Sequence, residues 1–377
     1  MDATNRIKYF SYYGCNDEAN KRNNSPAADT KLDYIISVLN NCGYAVDHIS
    51  RASSSCNHYI HTSIEKRGIN TLRYFASLKD SPAFHILNRV FMDFQLFFWC
   101  LWHLKYKEQI IVYHSLGYDF IFILLCKLKH LRIIGEIEEI YQDVHVQRRF
   151  VAKNEYRFIE ICQKYIFPTY LLDTKLNKLR KPSIVVHGVY STEHIGHNKF
   201  NDGKIHVVYG GTLDPNKGGA AAAAAAAEFL PSNFHIHICG FGDASQIKTI
   251  ITDIMSRSSA EVTFEGELKD KDYRNFIQRC DIGLSTQNPV ASFNSTSFPS
   301  KILMYLSNGL NVVSIRIPAI EQSAIANCIA FYDVQNPKTI AEAIILSANT
   351  AFESKSKEIL EQLNKSFIND LNVLISL

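Results

Sequence analysis

Tyr209-Gly210-Gly211-Thr212-Leu213-Asp214-Pro215-Asn216-Lys217-Gly218-Gly219 is the stretch on which the fold turns. A β-branched apolar run at 205–209 leads into it, and eight consecutive alanines at 220–227 follow it. The first pattern is that of a buried strand. The second is that of a helix, because alanine has the highest intrinsic helix propensity and Pro231 ends the run. Glycines let the backbone turn sharply after the strand and approach a ligand closely. The helix start offers free N–H groups and a positive dipole end to an anion, and Lys217 adds a full charge beside them. A diphosphate is the kind of ligand this suits. The spacing fits neither the phosphate-binding loop of nucleotide triphosphatases nor the dinucleotide fingerprint, which argues against an ATPase and against a nicotinamide-dependent oxidoreductase.

A second anion position follows at Ser297-Phe298-Pro299-Ser300-Lys301-Ile302-Leu303-Met304-Tyr305-Leu306-Ser307-Asn308-Gly309. Proline favours the first helical turn, the apolar residues anchor the helix, and Gly309 closes it. Ser300 and Lys301 then meet the same anion. Between the two lie Cys239-Gly240-Phe241-Gly242-Asp243 at a strand end, Phe264-Glu265-Gly266-Glu267-Leu268, and Arg279-Cys280-Asp281-Ile282-Gly283-Leu284.

Working outward, short apolar runs alternate with helix-length segments. One set lies at 7–12, 45–49, 109–114, 131–136, 164–168 and 183–187. A second lies at 205–209, 234–239, 262–265, 282–285, 311–314 and 330–332. Continuous apolar strands separated by helices indicate parallel, doubly wound sheets, so the expectation is an α/β chain of two Rossmann-like domains. The polar, glycine-bearing segment 188–203 separates the sets, giving a first domain at 1–187, a second at 188–350 and a helical tail at 351–377. Residues 51–68, rich in Ser, Asn and His, read as a loop.

Length and composition agree. The chain has 377 residues, 46% hydrophobic and 20% charged, enough for two cores. With 40 basic against 37 acidic residues the net charge is +3, which gives no argument for nucleic acid. The nine cysteines include no C-x-x-C pair, so no zinc knuckle is expected, and scattered thiols fit a reducing compartment. The first residues carry no apolar signal core, so the cytoplasm is expected. The most apolar stretch, 84–104, includes Arg89 and Asp93 and is a poor membrane span. It reads as a buried helix, with an aromatic face resting on a membrane surface as the alternative. Asp270 and Asp272 form the sequence's D-x-D, read as a helix-start charge cluster, so no metal is expected.

The motifs GGTLDPNKGG (210–219), HICGFGD (237–243), VTFEGEL (262–268), YRNFIQRCDIGLS (273–285) and FPSKILMYLSNGLNVVS (298–314), in this order, resemble the C-terminal domain of retaining GT-B glycosyltransferases of family 4. These enzymes extend bacterial polysaccharides and lipopolysaccharide O-antigen. The resemblance spans about 183–344. It implies two domains facing a cleft, with a nucleoside-diphosphate sugar held by the second. Gly210, Gly211, Thr212, Lys217, Gly240, Phe241, Gly242, Gly266, Ser297, Phe298, Pro299, Ser300 and Lys301 are then donor-site residues, and Lys217 and Lys301 stabilise the departing diphosphate. The family places an arginine where Thr212 stands. Its pair of glutamates, eight apart, corresponds to Thr296 and Met304, neither a carboxylate, so the ribose needs another partner, for which Glu321 is the candidate.

In the first domain, Gly135-Glu136-Ile137-Glu138-Glu139-Ile140-Tyr141 resembles an acidic segment of polysaccharide glycosyltransferases. Glu136 and Glu138 are therefore the catalytic candidates there, binding sugar hydroxyls or supporting an oxocarbenium-like transition state. Tyr13, Gly14, Lys21, Arg22, Asn23 and Asn24, after the first strand, are the acceptor candidates. The expected reaction is hexosyl transfer from UDP-galactose or UDP-galactofuranose to a lipid-linked glycan at the inner membrane's cytoplasmic face. It needs no cofactor, since the nucleotide sugar is a substrate. A non-catalytic GT-B-like subunit and a sugar-nucleotide epimerase are the alternatives.

Overall fold

The computed structural model describes residues 5–377 except 16, 24, 145–147, 193–195, 197–198, 215–218, 269, 290–295 and 351–352. The chain forms two compact α/β units. The first comprises Met1–His187 together with Ser366–Leu377, and the second is Gly188–Lys365.

The first unit holds β1 (Asn5–Ser11), β2 (Tyr44–Ser50), β3 (Ser63–Arg67), β4 (Asn70–Tyr74), β5 (Gln109–Tyr113), β6 (Arg132–Glu136), β7 (Lys164–Phe167) and β8 (Ser183–Val185). They form one sheet in the order β3-β4-β2-β1-β5-β6-β7-β8. All neighbours are parallel except β3 and β4, an antiparallel hairpin that turns at Gly68, whose φ of +61° favours glycine. This hairpin corrects the loop reading of 51–68. β3 lies at the sheet edge with every residue exposed or half-exposed, so its sequence carries no apolar period. β4 was missed for a related reason, having only Leu72 and Tyr74 buried.

The second unit holds β9 (Ile205–Thr212), β10 (Phe234–Phe241), β11 (Glu261–Gly266), β12 (Ile282–Ser285), β13 (Asn311–Ile315) and β14 (Ile329–Tyr332). Their order is β11-β10-β9-β12-β13-β14, with every pairing parallel. Counted within the unit this is 3-2-1-4-5-6, the order of doubly wound nucleotide-binding sheets. The alanine run forms the helix Gly219–Ala225 and a following 3-10 turn, Ala226–Phe229. Ala220, Ala223, Ala224, Ala226 and Ala227 are buried. Methyl groups let this helix approach the sheet closely.

Two further features depart from simple expectation. The stretch 84–104 is a helix, His85–His103, that buries one row, Asn88, Met92, Leu96 and Cys100. A second row, Ile86, Val90, Phe94, Phe98 and Trp102, is exposed, from 42% at Phe98 to 81% at Ile86. The rows are two residues apart, about 200° around the helix axis, so they face opposite sides. The tail is one helix, Glu353–Ser376, whose last part belongs to the first unit. There Phe367 stacks on Tyr34, and Gln109 and Lys164 each donate to a helix carbonyl, of Ile375 and Leu374, at 2.8 Å. Among the described residues no helix is long and apolar enough to cross a membrane.

Candidate functional site

In open α/β sheets ligands bind outside the carboxyl ends of the strands, where the strand order reverses. In the second unit that point lies between β9 and β12. Gly210 and Gly211 sit at the carboxyl end of β9. The Gly210 N–H donates to the Tyr305 hydroxyl at 2.9 Å, tying the strand end to the helix Lys301–Ser307. A Cβ on Gly210 would fall 2.0 Å from Tyr273 Oη, and one on Gly211 would fall 3.0 Å from Lys301 Nζ. The absence of a side chain at Gly211 is what lets Lys301 approach the strand end.

Lys301 Nζ stands 4.2 Å from the centre of the Tyr209 ring. Burial pushes its pKa down to about 8. Among the described residues no carboxylate forms an ion pair with it. A buried cation without a partner is costly, and an anion removes that cost. Perturbed ionisable groups of this kind concentrate at functional sites.

Several other predicted donor residues lie on the neighbouring strand ends and on the segment that leads into Lys301. Thr212 pairs in register with Phe241, and Gly211 with Gly240. The Thr212 hydroxyl accepts from the Asp214 N–H at 3.2 Å. Phe241 is 57% exposed. Gly242 follows β10 and Gly266 ends β11, with φ of +118° and +79°. Phe298 is buried, Ser297 and Pro299 are half-buried, and Ser300 is exposed directly before Lys301. Thr296 is buried and Met304 is 39% exposed. Glu321 accepts from Arg316 at 3.1 Å, so its carboxylate is already engaged. Lys217 lies outside the described residues, with Pro215, Asn216 and Gly218. Sequence reading missed Thr286, which donates to the Gly219 carbonyl at 2.6 Å and fixes the start of the alanine helix against the end of β12. Asp272 lies in the first turn of the helix Asp270–Arg279.

In the first unit Glu136 is wholly buried at the end of β6. Tyr9 donates to one of its oxygens. The other, Oε1, has no hydrogen-bond partner among the described residues. Burial first, and the charge of Glu138 second, raise its pKa. Glu138 is half-exposed and paired with Lys31 at 2.5 Å. Of the acceptor candidates, Arg22 is 1% exposed, donates to the carbonyls of Ala52 and His61, and lies over the Tyr74 ring. It holds the loop together from inside. Tyr13 donates to Asp33, and Gly14 donates to Asp29 and accepts from Tyr74. Lys21 and Asn23 are exposed, and Asn24 lies outside the described residues.

Asn23 also lines a cavity of about 410 Å³ in this unit, with Arg51, Lys79, His85 and Arg89. Arg51 is paired with Asp93. The sequence did not single out this basic lining, because its cations come from three separate segments. Near it in the chain, His114 ends β5 fully buried, its Nε2 3.6 Å from Asp119 and 3.9 Å from Glu155. Burial holds the His114 pKa down to about 4, and burial, then Glu155, raises that of Asp119 to about 8.

Residues 204–349 match the family described as glycosyl transferases group 1. No curated protein matches the chain in sequence. Solved structures share its fold along nearly its whole length. The sucrose-phosphate synthase of Thermosynechococcus elongatus superposes with a TM-score of 0.72 at 13% identity, over 99% of this chain and 98% of that one. A trehalose-6-phosphate structure from E. coli bound with UDP-2-fluoro glucose gives 0.67 at 13%, over 97% and 99%. The UDP-forming trehalose-phosphate synthase of Burkholderia xenovorans, in complex with glucose-6-phosphate, gives 0.66 at 13%, over 97% and 99%. The two parallel-sheet α/β units have the fold of GT-B glycosyltransferase structures, and residues 204–349 of the second unit are similar to the group 1 glycosyl transferases.

Proposed function

We propose that the chain transfers a hexosyl group from a nucleoside-diphosphate sugar to a glycan acceptor. The donor is UDP-linked, with UDP-galactose or UDP-galactofuranose as the first choices, and the anomeric configuration is retained. The observation that carries this reading is Lys301, a half-buried lysine with no carboxylate ion pair among the described residues, held at the strand end where doubly wound sheets bind nucleotides. As the sugar leaves, negative charge grows on the diphosphate. A fixed cation at that oxygen stabilises the transition state more than the ground state. Lys217 joins it, and no metal is needed for this neutralisation. The UDP sugar in the E. coli structure of the same fold supports a UDP donor.

The acceptor is a glycan on a lipid diphosphate, in O-antigen or polysaccharide assembly at the cytoplasmic face of the inner membrane. Two features of the first unit support it. The cavity beside Asn23 is lined by Arg51, Lys79, His85 and Arg89 with one carboxylate, Asp80, 3.2 Å from His85, an excess of cations suited to a phosphate-bearing molecule. The exposed row of Phe94, Phe98 and Trp102 suits the headgroup boundary of a bilayer. Replacing those three by serine should abolish co-sedimentation with anionic vesicles and leave thermal stability within about 1 kcal/mol, since exposed positions contribute little. Unchanged sedimentation would remove the membrane contact from the proposal.

Purified chain, given a UDP-sugar panel and a lipid-linked acceptor, should release UDP only when both are present. UDP-sugar converted without acceptor would indicate an epimerase. Absence of UDP binding by calorimetry would make the chain a non-catalytic relative.

A further inference from the structure

At the opposite ends of β9 and β10 from Gly210 and Gly240 lies a group of side chains that the transfer reaction does not use. His206 is the second residue of β9, and His235 and His237 alternate on β10, so all three project from one face of the sheet. His206 and His237 are 2% and 3% exposed, and His235 is half-buried. One ligand nitrogen from each lies within 4.8 Å of the other two. A parallel sheet covered by helices ordinarily buries aliphatic side chains here.

The hydrogen bonds around the rings decide what the group can hold. His206 Nε2 lies 2.9 Å from Asp202, and His237 Nδ1 lies 2.8 Å from Glu265. An ionised carboxylate accepts only, so each ring donates its N–H there. That leaves the lone pairs of His206 Nδ1 and His237 Nε2 directed at each other across 2.8 Å. Two lone pairs repel unless a proton or a metal ion lies between them. Two histidines oriented by carboxylates through their outer nitrogens are the usual support of a protein zinc site. Around tetrahedral zinc, with bonds of about 2.0–2.1 Å, ligand nitrogens sit roughly 3.3 Å apart, so this nearly coplanar pair opens by about 0.5 Å and the rings tilt for both lone pairs to meet one ion.

We propose that His206, His237 and His235 bind a divalent transition-metal ion, with zinc the best match to three imidazoles, and that Asp202 and Glu265 orient the first two. His235 reaches the ion by leaving Thr263, to which its Nε2 is bound at 3.1 Å. Phe200 stacks on His206 and His237 at centroid distances of 4.1 and 5.5 Å and shields the group on one side. The ion would join β9 and β10 to the segment carrying Phe200 and Asp202. Its role is to hold that segment in place, and it takes no part in transfer.

The test is zinc titration of the full chain after dialysis against chelator, followed by calorimetry and by thermal unfolding. One zinc per chain is expected, with a rise in melting temperature. His206→Ala and His237→Ala should each weaken binding about 100-fold or more, and Glu265→Gln about 10- to 100-fold. Should an alanine variant fail to fold, cobalt absorption of the wild-type chain decides the matter, because three imidazoles and a water give a four-coordinate spectrum without thiolate bands. Absence of tight zinc binding by the wild-type chain would overturn the proposal. So would binding unchanged in the folded histidine variants, or thiolate bands that place the metal on cysteine.

Discussion

Lys301→Ala is expected to lower kcat/KM for the donor about 100-fold, close to 2.7 kcal/mol of transition-state stabilisation. The cation sits against Tyr209 with no carboxylate ion pair among the described residues, and in the proposed reaction the leaving diphosphate is its counterion. The same observation predicts a pH dependence. With a pKa near 8 in the ligand-free protein, Lys301 loses its charge as pH rises through that value. kcat/KM should therefore fall above about pH 8. Stability moves the other way. The folded pKa lies below the ordinary value of about 10.4, so between the two the unfolded chain binds more protons, and ligand-free stability should rise with pH. Below pH 8 both states are protonated and the full penalty of the buried charge is present. Lys301→Met keeps the volume and removes the charge. It should raise the melting temperature at pH 7 and abolish the pH-dependent gain, while matching the alanine variant in lost activity. Wild-type kinetics in both variants would exclude Lys301 as the diphosphate contact.

Gly240→Ala is the second large effect. A Cβ there would lie 2.3 Å from the Gly211 carbonyl oxygen, and that neighbour is backbone. No rotamer change relieves the clash. β9 and β10 must separate at the Gly211–Gly240 pair, at the edge of the proposed donor site. Overpacking of this kind costs typically 1–3 kcal/mol, and a backbone neighbour puts this case at about 3. For a unit of this size the melting temperature should drop by roughly 6–12 °C. UDP binding should weaken with it, because Gly211 carries the surface that Lys301 approaches. A melting temperature within about 2 °C of wild type would show that the strands can part at no cost.

Much of this architecture was legible before folding. The six apolar runs between 205 and 332 correspond to β9 through β14, because strands covered on both faces need an uninterrupted apolar sequence. The alanine run gave its helix by propensity alone. The helix Lys301–Ser307 was recognisable because Pro299 and Ser300 mark its start and Gly309 its end. The edge strand β3 was not legible, since nothing covers its faces and no period is imposed on its residues. The contacts of Arg22 were also hidden. A basic run in a polar loop reads as a ligand contact, yet the guanidinium is spent on two carbonyls and the Tyr74 ring.

The sequence by itself determined two doubly wound units and the glycine-bearing end of β9. Both are local matters of period, propensity and turn chemistry, written within ten or twenty neighbouring residues. Only the tertiary structure decided that Lys301 lies on Tyr209 beside the bare backbone of Gly211, that Tyr305 bonds the end of β9, and that Asp202 and Glu265 turn two histidines toward each other. Those partners are brought together by strand order and register, and a carboxylate or a cation takes its chemical meaning from what burial leaves beside it.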